Sequence, residues 1–278
     1  SRGLSKNLVV CGGCALNSAF NGQLLQRTEY QRLYIPPAPA DDGTAVGAAV
    51  LACDNVFPGS RKTDGQPMNP YLGSEASADT LARLIRYSRG MEVRHLPARC
   101  HVETARMLSE GKLVGWMQGR AEFGPRALGN RSILADPRRR DMKEKINGSV
   151  KFREEFRPFA PSILDEFGDR YFENYEFTPY MERTLRFRAE MRDRVPAVVH
   201  VDGTGRLQTV RKDWNKRFHD LLIEFDKLTG VPILLNTSFN VMGKPIVHSV
   251  EDAVSVFLTT GLDALVIGDF LIAKPDHA

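Results

Sequence analysis

No run of apolar residues in this 278-residue chain approaches the roughly 18 needed to cross a bilayer. The opening residues, Ser-Arg-Gly-Leu-Ser-Lys-Asn, lack the apolar centre of a secretory signal. Cysteine is scarce: four residues, at 11, 14, 53 and 100, are too few to staple a chain of this size. These absences point to a reducing cytoplasm and no membrane span. Internal repeats, low-complexity tracts, a Walker-type Gly-Lys-Ser/Thr loop and a credible Ser-His-Asp or Cys-His constellation are missing too. What is present is an ordinary globular mixture, 42% hydrophobic and 26% charged with a formal charge of +4. That excludes a disordered chain, a collagen-like repeat and a supercharged tail. The length suits one large domain or two ordinary ones.

Cys11 and Cys14 form a C-x-x-C, open to redox chemistry or half of a zinc site. Cys53 and Cys100 supply no second close pair, so small buried thiols beside a glycine turn are the favoured reading. Charge is spread unevenly. Residues 111–157 hold twelve basic and six acidic side chains, whereas 158–278 hold fourteen and eighteen. A local basic excess suits phosphate groups, on a nucleotide or on RNA. For Arg138, Arg139, Arg140, Lys143 and Lys145 a solvated basic helix is the simpler account.

Strand-like and helical segments alternate, which argues for an α/β sheet. Strands are expected at 7–11, 113–117, 159–164, 197–201, 231–235 and 264–267. Helices are expected at about 14–25, 44–52 (small and tightly packed), 78–88, 213–229 capped by Gly230, and 250–259. The mixture of Gly, Pro, Ser and charge over 56–73 reads as a linker.

The informative residues lie in the loops. Gly12-Gly13, between a strand and a helix, lets backbone N–H groups approach an anion, with Asn17 on the first turn; a plain turn is the alternative. Asp41-Asp42-Gly43-Thr44 reads as a helix cap or as a metal carboxylate. In Gly119-Arg120-Ala-Glu-Phe-Gly-Pro-Arg126-Ala-Leu-Gly129-Asn-Arg131, guanidinium forks alternate with pliant glycine, a pattern for phosphate or carboxylate oxygens. Lys151-Phe-Arg153-Glu-Glu-Phe-Arg157 carries acids between Lys151 and Arg157, so ion-paired surface charge is its alternative reading. His200-Val-Asp202-Gly-Thr204-Gly-Arg206 and Asn236-Thr237-Ser238-Phe-Asn240 each follow an apolar strand, where open α/β sheets gather ligands.

Taken in order, Gly-Gly-Cys-Ala-Leu-Asn, Asp-Asp-Gly-Thr-Ala, Gly-Arg-Ala-Glu-Phe-Gly-Pro-Arg-Ala-Leu-Gly, Lys-Phe-Arg-Glu-x-Phe-Arg-Pro-Phe-Ala-Pro, His-Val-Asp-Gly-Thr-x-Arg-x-Gln-Thr-Val and Leu-Asn-Thr-Ser-Phe-Asn cover nearly the whole chain. Together they resemble the nodulation- and antibiotic-type O-carbamoyltransferases, the NodU/CmcH family. The resemblance implies a YrdC-like twisted α/β domain over 73–278, preceded by the C-terminal piece of an actin-like (ASKHA) domain over 1–60 and a linker over 61–72. It implies that the YrdC-like part makes carbamoyl adenylate from carbamoyl phosphate and ATP with Mg²⁺. The actin-like part then passes the carbamoyl group to a hydroxyl of a natural product or oligosaccharide, beside an iron (Fe²⁺) site.

By the same resemblance, Arg126, Lys151, Arg157 and Arg206 hold phosphate oxygens, with Asn236, Ser238 and Asn240 beside them. Gly13 and Asn17 contact the adenylate in the transfer site, and Asp41 supplies a metal carboxylate. Neither Arg126 nor Lys151 is expected in the core. Cys14 stands where the family often has Val. The family's histidine pair, four residues apart, has no counterpart among the six histidines here. A truncated chain, lacking most of the transfer domain, is therefore expected. A nucleotide-binding fragment without turnover is the alternative, and an RNA-binding module a more distant one.

Overall fold

The computed structural model describes residues 5–60, 65–88, 90–154 and 157–274. The N-terminal part is small. β1 (Asn7–Val9) and β2 (Arg32–Tyr34) pair in parallel, with the one-turn helices α1 (Ser18–Asn21) and α2 (Leu24–Arg27) between them and α3 (Thr44–Val56) after. The helix expected over 14–25 breaks because Asn17, at φ −80° and ψ 86°, leaves helical geometry and caps α1. The expected strand at 7–11 is shorter and mostly exposed. α3 also departs from expectation: none of its residues is buried, and Val46, Leu51 and Val56 face outward. Small side chains alone do not bury a helix; it needs a neighbouring layer.

The rest of the chain continues as α4 (Ala78–Tyr87), β3 (Glu92–His95), α5 (Cys100–Ser109), β4 (Val114–Met117), β5 (Arg131–Ala135) and α6 (Met142–Ile146). β6 (Ala160–Leu164), α7 (Gly168–Tyr171), β7 (Thr184–Arg186), β8 (Thr204–Arg206) and β9 (Gln208–Val210) follow. The chain closes with α8 (Lys216–Thr229), β10 (Ile233–Ser238), α9 (Val250–Thr259), β11 (Ala264–Ile267) and β12 (Phe270–Ala273).

Eight strands form one mixed sheet in the order β3-β12-β11-β4-β5-β10-β6-β9, with parallel pairs at β11–β4 and β6–β9. The fold class is mixed α/β. β4, β5, β6, β9 and β11 are buried along their whole length, as strands covered on both faces are. α5 and α8 pack on each other, α8 also on β6 and β10, and α9 on β4 and β11. α8 begins where the Asn215 side chain accepts the Phe218 N–H and ends at left-handed Gly230. α9 opens on a capping box made by Ser249 and Asp252. Among the described residues no helix is long and apolar enough to cross a membrane.

The strand expected over 197–201 does not form. Pro196 starts a short 3₁₀ turn there, and the extended segments are β8 and β9 just beyond. β7 and β8 make a separate two-stranded ribbon.

Candidate active site

The Gly- and Arg-rich loop joins β4 to β5. Glu122 shapes it: Oε1 accepts the backbone N–H groups of Leu128 at 2.6 Å, Asn130 at 2.7 Å and Arg131 at 3.2 Å. Burial raises the Glu122 pKa in spite of these bonds. Gly124 sits at φ 124° with the Pro37 carbonyl where a Cβ would stand, and Gly129 at φ 103° against the Phe218 ring. Only glycine suits either position, and the first ties the loop to the N-terminal part.

The loop's three arginines separate by partner. Arg120 donates to the carbonyls of Gly73 at 3.0 Å and Leu72 at 2.9 Å. Arg131, fully buried, donates to the carbonyls of Gln118, Gly119, Asn130 and Ser74. Both serve the framework. Arg126 reaches across to the Leu16 carbonyl at 3.1 Å, and burial lowers its pKa with no carboxylate opposing.

Between α6 and β6 the chain makes a π-type turn over Asn147–Lys151, and Phe152 follows in the left-handed region at φ 48°. Such a reversal is costly for a non-glycine residue and recurs at functional sites. It turns Lys151 inward to 2% exposure. The ammonium donates to the Ser238 carbonyl, to Asn240 Oδ1 at 2.7 Å, to the Asn240 carbonyl at 3.1 Å and to Ser238 Oγ at 3.2 Å. Every acceptor is uncharged. Burial first, then Arg153, pushes the Lys151 pKa down to about 7. The expectation of a Lys151 outside the core is thus corrected. So is its ion-paired reading, because the Glu154 carboxylate goes to Arg157 at 3.0 Å; Glu155 lies outside the described residues.

Arg206 leaves β8 with a buried Nε that has no hydrogen-bond partner. Burial, then Arg126 and Arg153, pushes its pKa down to about 9. Arg153 lies over the Phe159 ring at 4.8 Å and donates to Asn147 Oδ1 at 3.0 Å. Its pKa falls through burial and then Arg157, with Glu154 opposing. Like charge therefore couples Arg206 to Arg126 and Arg153, and Lys151 to Arg153, in a half-buried region. Among the described residues Glu154 is the one carboxylate set against this charge, at Arg153; cations grouped in this way are a standing cost, and a polyanion is the ligand that removes it.

The other sequence-derived candidates spread out. Ser238 Oγ donates to Asn240 Oδ1 at 2.7 Å, so both stand beside Lys151. Asn236 and Ser238 lie within β10, not past its end. Asn236 is fully buried and donates to Ser162 Oγ and Gln208 Oε1, each at 3.0 Å, while its Oδ1 has no partner. Arg157 is exposed and paired with Glu154. Gly13 is exposed at the start of a 3₁₀ turn. The Asn17 oxygen is used in accepting the Phe20 N–H at 3.0 Å. Asp41 is exposed; its carbonyl accepts the Thr44 hydroxyl at 2.6 Å, and the neighbouring Asp42 side chain accepts the Gly43 N–H at 3.1 Å.

Among the described residues no three His, Cys, Asp or Glu side chains come together to hold a metal. Cys11 and Cys14 are free and exposed, correcting the buried-thiol reading, whereas Cys100 is buried. Arg153 is the residue the motif reading passed over. The fold gives the neighbouring Glu154 carboxylate to Arg157.

Two family models match separate stretches of the chain. The model described as carbamoyltransferase C-terminus matches residues 105–274, and the one described as carbamoyltransferase N-terminus matches residues 1–50. Nodulation protein NolNO of Sinorhizobium fredii is 44% identical over 97% of this chain and 40% of its own length. Nodulation protein NolO of Bradyrhizobium diazoefficiens is 42% identical over 96% of this chain and 49% of its own. The chain thus spans less than half the length of these relatives. Among solved structures, full-length HypF in a phosphate- and nucleotide-bound form aligns at 16% identity and TM-score 0.42, over 67% of this chain and 23% of that one. That likeness is too weak to define the fold. The C-terminal match alone takes in more than half the chain, with the Arg126, Lys151, Arg153 and Arg206 cluster inside it, and on that ground the protein belongs to the carbamoyltransferase family.

Proposed function

We propose that this chain forms carbamoyl adenylate from carbamoyl phosphate and ATP at the cluster of Arg126, Lys151, Arg153 and Arg206. In this reading residues 73–278 are the YrdC-like catalytic unit and 1–60 the end of the actin-like transfer domain. Residues 61–72 link them, and 61–64 of these lie outside the described residues. The carbamoyl group is destined for a hydroxyl of a natural-product or oligosaccharide acceptor. The observation that carries the reading is the set of mutually repelling cations with Arg206 Nε unpartnered.

The residue types suit the chemistry. Carbamoyl phosphate and ATP are both polyanions, and holding them together requires several fixed cations. Water attacks the phosphorus of carbamoyl phosphate, the bond between phosphorus and the carbamoyl oxygen breaks, and inorganic phosphate leaves with the water's oxygen as a proton is released. The carbamate that remains keeps both its oxygens and is held in the enclosed site. A carbamate oxygen then bonds to the α-phosphorus of ATP, the α–β phosphoanhydride bond breaks, and pyrophosphate leaves with the electron pair. Arg126, Arg153 and Arg206 offset the charge on the phosphate oxygens. Lys151, held by Ser238 and Asn240, takes up a proton as the anions arrive. The Arg126 bond to the Leu16 carbonyl puts this cluster beside the Gly12–Asn17 loop, where the product would be received.

The cluster's own residues are cations and amides, which do not fit Mg²⁺ as ligands, so no step is assigned to a protein-held metal. The test is pyrophosphate release from ATP by the full chain, with and without carbamoyl phosphate. Release that depends on carbamoyl phosphate is the expected outcome. ATP binding without release would replace this reading by the binding-only one, and steeply salt-dependent RNA binding without ATP binding by the third.

A further inference from the structure

The turn that leads into β8 carries a histidine that no step above uses. Gly203, left-handed at φ 78°, closes the turn: its N–H donates to the His200 carbonyl at 2.9 Å, and the His200 N–H donates to the Thr204 carbonyl at 2.7 Å. His200 is thereby laid against Thr204, and the two side chains meet, ring Nδ1 to Oγ1, at 3.2 Å. Asp202 decides which way the protons run. Its Oδ1 accepts the Thr204 hydroxyl at 2.7 Å and the Thr204 N–H at 3.0 Å. A hydroxyl has a single hydrogen, so towards His200 the Thr204 oxygen only accepts, and Nδ1 carries the ring proton. Burial holds the His200 pKa below its ordinary value, with Asp202 opposing and Arg206 and Lys143 adding to the fall, so the ring is neutral near pH 7. Nε2 then offers only a lone pair, and it is buried without a partner.

Arg206 has the complementary need. Its Nε–H is a donor, also buried and also unpartnered, and no carboxylate opposes the fall in its pKa. Three observations bring the two side chains together. Thr204 and Arg206, two apart on β8, project to one face of the ribbon. The His200 ring is tied to Thr204 on that face. The charge on Arg206 is felt at His200, where it lowers the pKa. A buried donor and a buried acceptor left unpaired each cost free energy, and a bond between them removes both costs.

We infer that His200 is a positioning residue for Arg206, its Nε2 accepting the Arg206 Nε–H when an anion occupies the cluster. With Nε held in this way, the two Nη groups are left to fork onto phosphate oxygens. Asp202 and Thr204 serve the same end one step back, by fixing the tautomer that makes Nε2 an acceptor. This role rests on the cluster being an anion site, and the experiment below separates the two.

The experiment is calorimetric titration of the full chain with inorganic pyrophosphate, with the Arg206 Nε–H and the His200 ring nitrogens followed by NMR. His200→Phe keeps a ring and removes the acceptor, and Arg206→Lys keeps the charge and removes the donor. His200→Phe is expected to weaken pyrophosphate about ten-fold in the native background, the loss of one hydrogen bond to a charged group, and to change nothing in the Arg206→Lys background. His200→Gln, whose amide oxygen reaches about as far as Nε2, should restore most of the affinity, and it gives a second reading should His200→Phe fold poorly. On saturation the Arg206 Nε–H signal should move in the native chain and stay in place in His200→Phe. An equal loss from His200→Phe in both backgrounds overturns the pairing, as does a His200 ring protonated at Nε2 and bare at Nδ1. If the native chain binds no pyrophosphate, the anion site falls and the pairing with it; binding that ignores His200 overturns the pairing alone.

Discussion

Residues 138–145 and the cluster of Arg126, Lys151, Arg153 and Arg206 are made of the same side-chain types and end in opposite electrostatic states. In the first region Arg138 binds Asp136 at 2.7 Å, Arg139 binds Asp141 at 2.9 Å and Arg140 binds Asp193 at 2.9 Å. Lys143 and Lys145 donate to the carbonyls of Val199 and Gly111. In the second, burial lowers every pKa, and neighbouring cations add to it at Lys151, Arg153 and Arg206. A basic excess in the sequence is therefore no site by itself. Positive charge that the fold declines to neutralise is what points to a ligand.

The largest effect should come from emptying the second region. Arg206→Met or Lys151→Met is expected to lower carbamoyl-phosphate-dependent pyrophosphate release by about 10²–10³ in kcat/KM, the size seen when one group stabilising a developing charge is lost. Lys151→Met should do this without a large fall in Tm, because an uncompensated buried ammonium leaves with it. Unchanged turnover in both variants would dissolve the contrast between the two regions.

Next in size is a change in the fold that carries Arg126. Gly124→Ala puts a Cβ against the Pro37 carbonyl at a φ of 124°, so stability should fall by about 1–3 kcal/mol, measured by urea unfolding. An unaltered midpoint would mean that the loop does not depend on that contact.

The pH dependence sharpens the comparison. Lys151 titrates at about 7 when folded against 10.5 ordinarily, so between those values the unfolded chain binds more protons. Its contribution to stability is thus unfavourable below pH about 7 and is relieved as pH rises toward 10.5. Pyrophosphate binding at pH 8 should in turn draw in a proton, read by calorimetry in buffers of different ionisation enthalpy. Lys151→Met should abolish that uptake; uptake that persists would assign the proton elsewhere. The smallest effect belongs to the first region. Arg139→Gln and Arg140→Gln should leave both Tm and turnover unchanged, since exposed ion pairs contribute little.

Much of the sheet was legible, because buried strands such as Val231–Leu235 and Ala264–Ile267 announce themselves as short apolar runs between turn residues. β5 was not, since Arg131-Ser132 opens it with polar side chains that are buried only through contacts with distant carbonyls. The segment at 197–201 misled for the opposite reason: Ala197 and Val198 are buried in a 3₁₀ turn that Pro196 initiates, while Val201 is exposed. For the site, the motifs named Arg126, Lys151 and Arg206, whereas Arg153 and the enclosure of Lys151 depend on a turn at Phe152 that no local pattern specifies. Partner choice was equally hidden. Glu154 could have served either Lys151 or Arg157, and only the backbone path decides.

The central claim is that unneutralised cations converge on one anion site. Calorimetric titration with inorganic pyrophosphate at low ionic strength addresses it most directly, comparing the native chain with Arg126→Met/Arg206→Met and with Arg139→Gln/Arg140→Gln. The account predicts a single binding event that the first pair of substitutions abolishes and the second leaves intact. Equal weakening by the two pairs would contradict it, because pyrophosphate would then be following net charge alone.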